Sequence, residues 1–180
     1  MVYVFLANGF EEVEAITPID YLRRADIQVV TVGVTGKSVT GAHNITVLCD
    51  VEADEIDISK AQGIVLPGGM PGTLNLENSA VVQSAIDYCV ENGFLVSAIC
   101  AAPSILGHKN LLKNKNAVCF PGFESELYGA NITDDFAVTD GNIITAKGAG
   151  SASEFAYEII KYLCDNETAT KIKSTVQSCY

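Results

Sequence analysis

The chain reads as an α/β protein with a mainly parallel sheet and helices layered on both faces, and three observations lead there. Strand-like and helix-like runs alternate along almost its whole length, the order that places crossover helices between parallel strands. Several strand runs, such as Val29-Val30-Thr31-Val32 and Ile64-Val65-Leu66, are continuously apolar, as befits strands covered from both sides. The run Phe94-Leu95-Val96-Ser97-Ala98-Ile99 delivers Cys100 straight into a helix-like stretch, a strand-to-helix turn of the kind that presents a nucleophile. The layers are therefore α/β/α.

Taken in order, a first strand is predicted over Tyr3–Ala7, a helix near Val13–Ala25 and a second strand over Gln28–Val34. Segment 38–49 holds the turn sequence Thr40-Gly41-Ala42-His43-Asn44 between two short strand candidates and reads as a hairpin decorating the sheet. A strand over Gly63–Pro67 and a helix near Ala80–Asn92 follow, then the strand before Cys100 and a helix over Ala101–Leu112. Segment 135–147, with Thr139-Asp140-Gly141-Asn142 at its turn, reads as a second decorating hairpin. Helices over Ser153–Cys164 and roughly Glu167–Ser178 close the chain. Neither a linker, a repeat nor a low-complexity tract divides it, so residues 1–180 are expected to form one domain.

Composition narrows the function. With 48% hydrophobic and 18% charged residues, 180 residues suffice for a sizeable core. No apolar stretch approaches the ~20 residues that span a bilayer, and Met1–Leu6 runs into a strand without a basic flank or cleavage site. A cytoplasmic protein with no membrane partner is expected. Eleven Lys and Arg against 22 Asp and Glu give a net charge of −11 with no basic stripe, which argues against a nucleic-acid partner. The cysteines at 49, 89, 100, 119, 164 and 179 form no C-x-x-C pair and no metal spacing with His43 or His108, so neither a metal site nor a disulfide framework is expected. Cys89 and Cys164 fall on apolar helix faces and read as packing residues, Cys119 reads first as strand filling and second as an oxidisable thiol near the pocket beside Phe120, and Cys179 reads as an exposed residue by the terminus.

Ala98 and Ala102 flank Cys100 at the second position on each side. Small residues there let backbones approach at a nucleophile elbow, and a thiol at the start of a helix is expected to have a lowered pKa. Three loops should meet it, because ligands of parallel sheets bind beyond the carboxyl ends of the strands. Pro67-Gly68-Gly69 exposes amides that, with that of Ala101, could form an oxyanion hole. Asn8-Gly9-Phe10-Glu11-Glu12-Val13-Glu14 brings three carboxylates to a helix start, and helical phasing turns Glu14 toward the apolar face, where a buried carboxyl stays protonated and can donate to a thiolate. Lys147-Gly148-Ala149-Gly150-Ser151 reads first as a helix entry and second as an anion cradle. His108 lies eight residues past Cys100, about 12 Å along a straight helix, and reads as a surface or helix-end residue.

Five ordered motifs resemble the ThiJ/PfpI superfamily, in particular the branch of the parkinsonism-associated protein and its bacterial relatives. They are Glu11-Glu12-Val13-Glu14, Leu22-Arg23-Arg24-Ala25, Leu66-Pro67-Gly68-Gly69, Ala98-Ile99-Cys100-Ala101-Ala102-Pro103, and Gly148-Ala149-Gly150 with Glu154-Phe155-Ala156. The resemblance implies a flavodoxin-like sandwich related to the class I glutamine amidotransferases, and a homodimer. It implies that Cys100 is the nucleophilic and oxidisable cysteine, Glu14 its protonated partner, and Gly69 and Ala101 the amides facing the pocket. It further implies that the hairpin crosses the dimer, so that His43 and Arg24 would line the partner's pocket. His43 also reads simply as an exposed hairpin tip. Where many relatives carry a His before a Pro, this chain has Phe120 before Pro121, which removes the base of the peptidase-like members.

Two function classes follow. One is a cofactor-independent glyoxalase or deglycase acting on small aldehydes or dicarbonyls through Cys100 and Glu14. The other is an oxidative-stress sensor or redox-regulated chaperone that works by oxidation of Cys100. A cysteine peptidase or amidase ranks below both, since an acid and base pair is wanting.

Overall fold

The computed structural model describes residues 1–178, so Cys179 lies outside the described residues. In chain order the elements are β1 (Val2–Leu6), α1 (Glu12–Arg24), β2 (Val29–Gly33), β3 (Ser38–Thr40), β4 (Thr46–Leu48), β5 (Val51–Glu52), β6 (Gly63–Leu66), α2 (Gly72–Glu77), α3 (Ala80–Glu91), β7 (Leu95–Ile99), α4 (Pro103–His108), β8 (Asn116–Ala117), β9 (Asn131–Ile132), β10 (Ala137–Asp140), β11 (Ile143–Ala146), α5 (Ala152–Leu163) and α6 (Asn166–Thr175). Seven strands form one sheet in the order β10-β11-β7-β6-β1-β2-β5. Every neighbouring pair is parallel except β10 with β11.

Side chains alternate across β1 and so feed two cores. Val2, Val4 and Leu6 pack with Ile19 and Leu22 of α1, Phe155 and Ile159 of α5 and Ile172 of α6. Tyr3 and Phe5 face the other way, onto Leu76 of α2, Val82 and Ile86 of α3 and Ile105 of α4. The fold is thus the flavodoxin-like three-layer sandwich. In α1 the buried set Ala15, Pro18, Ile19 and Leu22 repeats at helical spacing. Ser79 caps α3 by accepting from the amide of Val82, and Asp165 caps α6 by accepting from that of Thr168. Among the described residues, no helix is long and apolar enough to cross a membrane.

Four expectations change. The helix after Cys100 is six residues long and ends at His108. Gly107 packs so closely on the next segment that a β-carbon there would lie 2.0 Å from the Glu126 carbonyl oxygen, and Asn110 turns left-handed at φ 58° to close the helix. The 135–147 hairpin is no decoration, since β11 pairs with β7 inside the main sheet and β10 forms its edge. The stretch around Cys119 and Phe120 is a turn beyond the two-residue β8. Cys164 is exposed at the end of α5, whereas Cys49, Cys89 and Cys119 are buried.

Candidate functional site

The carboxyl ends of β1, β6, β7 and β11 lead into four loops that converge on Cys100. Its backbone lies in the left-handed region at φ 66°, a conformation that costs a residue with a β-carbon about 1–2 kcal/mol. Both backbone groups are tied down: the Cys100 amide donates to the Ala146 carbonyl at 2.9 Å, and its carbonyl accepts from the Phe120 amide at 2.8 Å. The neighbours hold the turn, and the turn lifts the sulfur out of the strand.

Glu14, in the first turn of α1, is 1% exposed. Its carboxyl faces the Cys100 side chain, and its Oε2 accepts from the Gly68 amide at 2.9 Å. Gly68 allows this contact, because a β-carbon there would lie 2.6 Å from both Cys100 Cβ and Glu14 Oε2. Gly69 sits at φ 90° between the Gly9 carbonyl and the Glu11 amide, and its own amide, with that of Ala101, donates toward the Cys100 sulfur. The structure therefore brings together Cys100, Glu14, Gly69 and Ala101. Sequence reasoning missed Gly68 as the anchor of Glu14; the paired glycines after β6 were the only signal.

Protonation differs from the sequence expectation. Burial pushes the Glu14 carboxyl up to about 7, against the hydrogen bonds from Cys100 and Gly68. Burial also pushes the Cys100 thiol up to about 12, reinforced by the charge and hydrogen bond of Glu14 and opposed by the amides of Ala101 and Gly69. The lowering expected from a helix start does not prevail. A six-residue helix beginning three residues further on has little macrodipole to offer, while desolvation and a facing carboxylate both favour the neutral thiol.

Phe120 stands where a base would be useful. Its ring is 48% exposed and reaches Gly148: the position a β-carbon on Gly148 would occupy is 3.3 Å from Phe120 Cδ2 and 3.8 Å from Glu14 Oε1.

Neither Arg24 nor His43 reaches Cys100 within the chain. Arg24 pairs with Asp20 at 2.7 Å on the exposed side of α1. His43 folds onto the start of α1, its Nδ1 3.0 Å from Glu12 and 3.3 Å from Glu11. The hydrogen bond to Glu12, then the charges of Glu11 and Glu12, raise the His43 pKa. Glu12 also accepts from the amides of His43 and Ile45. Burial opposes its ionisation, but these donors together hold its carboxyl below the usual range. Among the described residues this trio is the grouping whose spacing would admit a cation, and its ligand atoms are already engaged with one another. His108 ends α4 between Glu77 and Glu126. A separate cleft of about 520 Å³ is lined by Asp135, Phe136, Ala137, Gly150, Ser153, Glu154 and Glu158.

Residues 1–162 match the DJ-1/PfpI family. The chain is 32% identical over 180 residues to protein dj-1beta of Drosophila melanogaster, covering 98% of this chain and 96% of that protein. It is 30% identical over 178 residues to the Parkinson disease protein 7 homolog of Danio rerio, covering 95% and 93% respectively. The structure of oxidized Toxoplasma gondii DJ-1 superposes with a TM-score of 0.95 at 31% identity, over 99% of this chain and 98% of that one. The sandwich, the elbow at Cys100 and these matches across the chain make it a member of the DJ-1/PfpI family.

Proposed function

We propose that the protein is a cofactor-independent cysteine enzyme that converts reactive dicarbonyls to 2-hydroxy acids, with Cys100 as nucleophile and Glu14 as proton carrier. One observation carries the reading: a half-buried thiol faces a buried carboxyl that burial pushes up to about 7, where a general base is most useful. The Glu14 carboxylate takes the thiol proton as the sulfur bonds to the aldehyde carbon. The carbonyl π pair moves to oxygen, where the amides of Gly69 and Ala101 stabilise the charge, and Glu14 returns the proton to give a hemithioacetal. Glu14 then removes the former aldehyde hydrogen as a proton, and the resulting enediolate is protonated at the neighbouring carbon. This leaves a 2-hydroxyacyl thioester, which water cleaves to the acid and free Cys100. Electrons move only within the substrate, so no external oxidant or reductant is required. A glycated amine offers the same site an analogous adduct, the deglycase variant of this chemistry. Amide hydrolysis ranks lower, because Phe120 offers no second proton carrier.

The test is formation of lactate from methylglyoxal. The wild type should form it, Cys100→Ser should not, and Glu14→Gln should lose about 10²-fold or more. Lactate formation at the wild-type rate by Cys100→Ser would sink the proposal.

A second reading has its own support, since Cys100 is partly exposed and a relative of the same fold is described as oxidized. Two equivalents of peroxide would convert the thiol to a sulfinate, releasing two waters, with its oxygens beside the Gly69 and Ala101 amides and the Glu14 proton. Peroxide-driven sulfinate without lactate formation would favour this sensor role.

The chain also fits a homodimer. Val13 and Ile16 of α1, Ile45 in the hairpin turn and Leu48 of β4 are 48%, 43%, 57% and 75% exposed, and apolar patches of this kind mark interfaces. The elements that carry them also carry Arg24 and His43, so pairing two copies here would bring those residues toward the partner's site.

A further inference from the structure

We propose that Phe120 makes this site selective for dicarbonyls carrying an aromatic or similarly broad apolar substituent, for which its ring is the binding wall. The proposal rests on the dicarbonyl reading above for its chemistry and goes beyond it in naming the substrate class.

Phe120 is a large apolar residue left 48% exposed, yet its backbone is fixed. Its amide donates to Cys100 at 2.8 Å, its carbonyl accepts from Phe123 at 3.1 Å, and Pro121 follows directly. The backbone that carries the ring is thus fastened to the elbow itself. The ring's inner edge lies against the Gly148 backbone, since a β-carbon there would stand 3.3 Å from the ring and 3.8 Å from Glu14 Oε1, which places the ring beside the Glu14 carboxyl.

The remaining near walls are backbone, from Gly68, Gly69 and Gly148, and the cations of the neighbourhood are engaged elsewhere. Lys147 pairs with Asp134, Arg24 with Asp20, and His43 with Glu11 and Glu12. Among the described residues of one chain, a substrate tail bearing phosphate or carboxylate would have to compete with these carboxylates for a counter-charge, whereas a neutral ring would find an aromatic surface. Aromatic pairs attract beyond the burial of their area when offset or edge to face. With its carbonyls between Cys100 and the two amides, a phenyl substituent can lie against the exposed part of Phe120. A methyl substituent is too short to use that surface.

The experiment compares kcat/KM for phenylglyoxal and methylglyoxal at initial rates, in wild type, Phe120→Ala and Phe120→His. The wild type should favour phenylglyoxal, and both variants should lower the phenyl-to-methyl ratio about tenfold, mainly through KM, as expected for loss of an aromatic contact. An unchanged ratio in Phe120→Ala overturns the proposal. Should a variant fold poorly, Gly148→Ala sets a methyl 3.3 Å from the Phe120 ring, displaces the ring and should depress phenylglyoxal more than methylglyoxal; equal loss again overturns it. Absence of turnover with both substrates in wild type would strike the enzyme reading alone. The wall would then be read from protection of Cys100 against iodoacetamide, where phenylglyoxal should protect the wild type better than methylglyoxal and lose that advantage in Phe120→Ala. Equal protection of the wild type by the two compounds would overturn the wall itself.

Discussion

Glu14 and Cys100 compete for protons in a space largely closed to water. Between about 7 and about 12 the pair holds one proton, which can sit on oxygen or on sulfur, and only the second arrangement lacks a nucleophile. The rate of Cys100 alkylation should therefore rise through pH ~7 in wild type, as the pair loses its first proton. Glu14→Gln should abolish that inflection and bring the thiol titration below its present value, because a neutral amide replaces the charge that helps raise it; an inflection that survives the change would refute the coupling. Stability provides a second check. Glu14 has a folded-state pKa of about 7 against an ordinary 4.5, so the folded protein holds the extra proton and stability falls as pH rises through that window. Glu14→Gln should be close to neutral at pH ~4 and stabilising by about 2–3 kcal/mol at pH ~8, measured by urea unfolding. The inward phase of Glu14 could be read from its spacing to the apolar positions of α1. Its proton affinity could not, since that depends on Gly68 and Cys100, more than fifty residues away along the chain.

At the scale of elements, the β3–β4 hairpin is held to α1 by one buried carboxylate. Glu12 gathers the amides of His43 and Ile45 and the His43 ring, and Gly41 makes room, since a β-carbon there would lie 2.3 Å from the Glu12 carboxyl. The His43 pKa is raised in the folded chain, so its contribution is complete below its unfolded pKa and is lost as pH rises through the folded one. After correction for intrinsic exchange, the amides of residues 42–45 should lose protection across that rise. His43→Gln should remove the pH dependence without altering α5; protection independent of pH in the wild type would show that the ring adds nothing. Local pattern located the hairpin through its turn residues, yet the clasp escaped notice because it joins residues 31 apart in sequence. The same limit explains the overlong α4: Ala101–Leu112 has helical composition, but a neighbouring backbone pressed onto Gly107 and a left-handed Asn110 end the helix early.

For the whole molecule, the layered sandwich was legible because it depends on alternation and apolar runs, which are properties of the sequence itself. The short strands β5, β8 and β9 were not, since two residues carry no periodic signal and pair only where the finished sheet or loop offers a partner. The exposure of Val13, Ile16, Ile45 and Leu48 likewise appears only in the folded chain. In the proposed dimer, Leu48→Glu, which puts a charge at the most exposed of these positions, should shift sedimentation from dimer to monomer and leave the circular dichroism unchanged. A variant that sediments as the wild type does would exclude this surface as the interface.

The left-handed backbone at Cys100 sets folding and chemistry at odds over one position. Glycine adopts φ 66° without strain, so Cys100→Gly should outlast Cys100→Ala by about 1 kcal/mol in urea, although both have lost the sulfur. A laboratory selection for heat tolerance alone would thus drift toward glycine at position 100 and erase the reactive atom unnoticed. Libraries built on this scaffold need a thiol assay running beside the melting curve, and the rate at which glycine invades position 100 would measure how strongly activity is being selected.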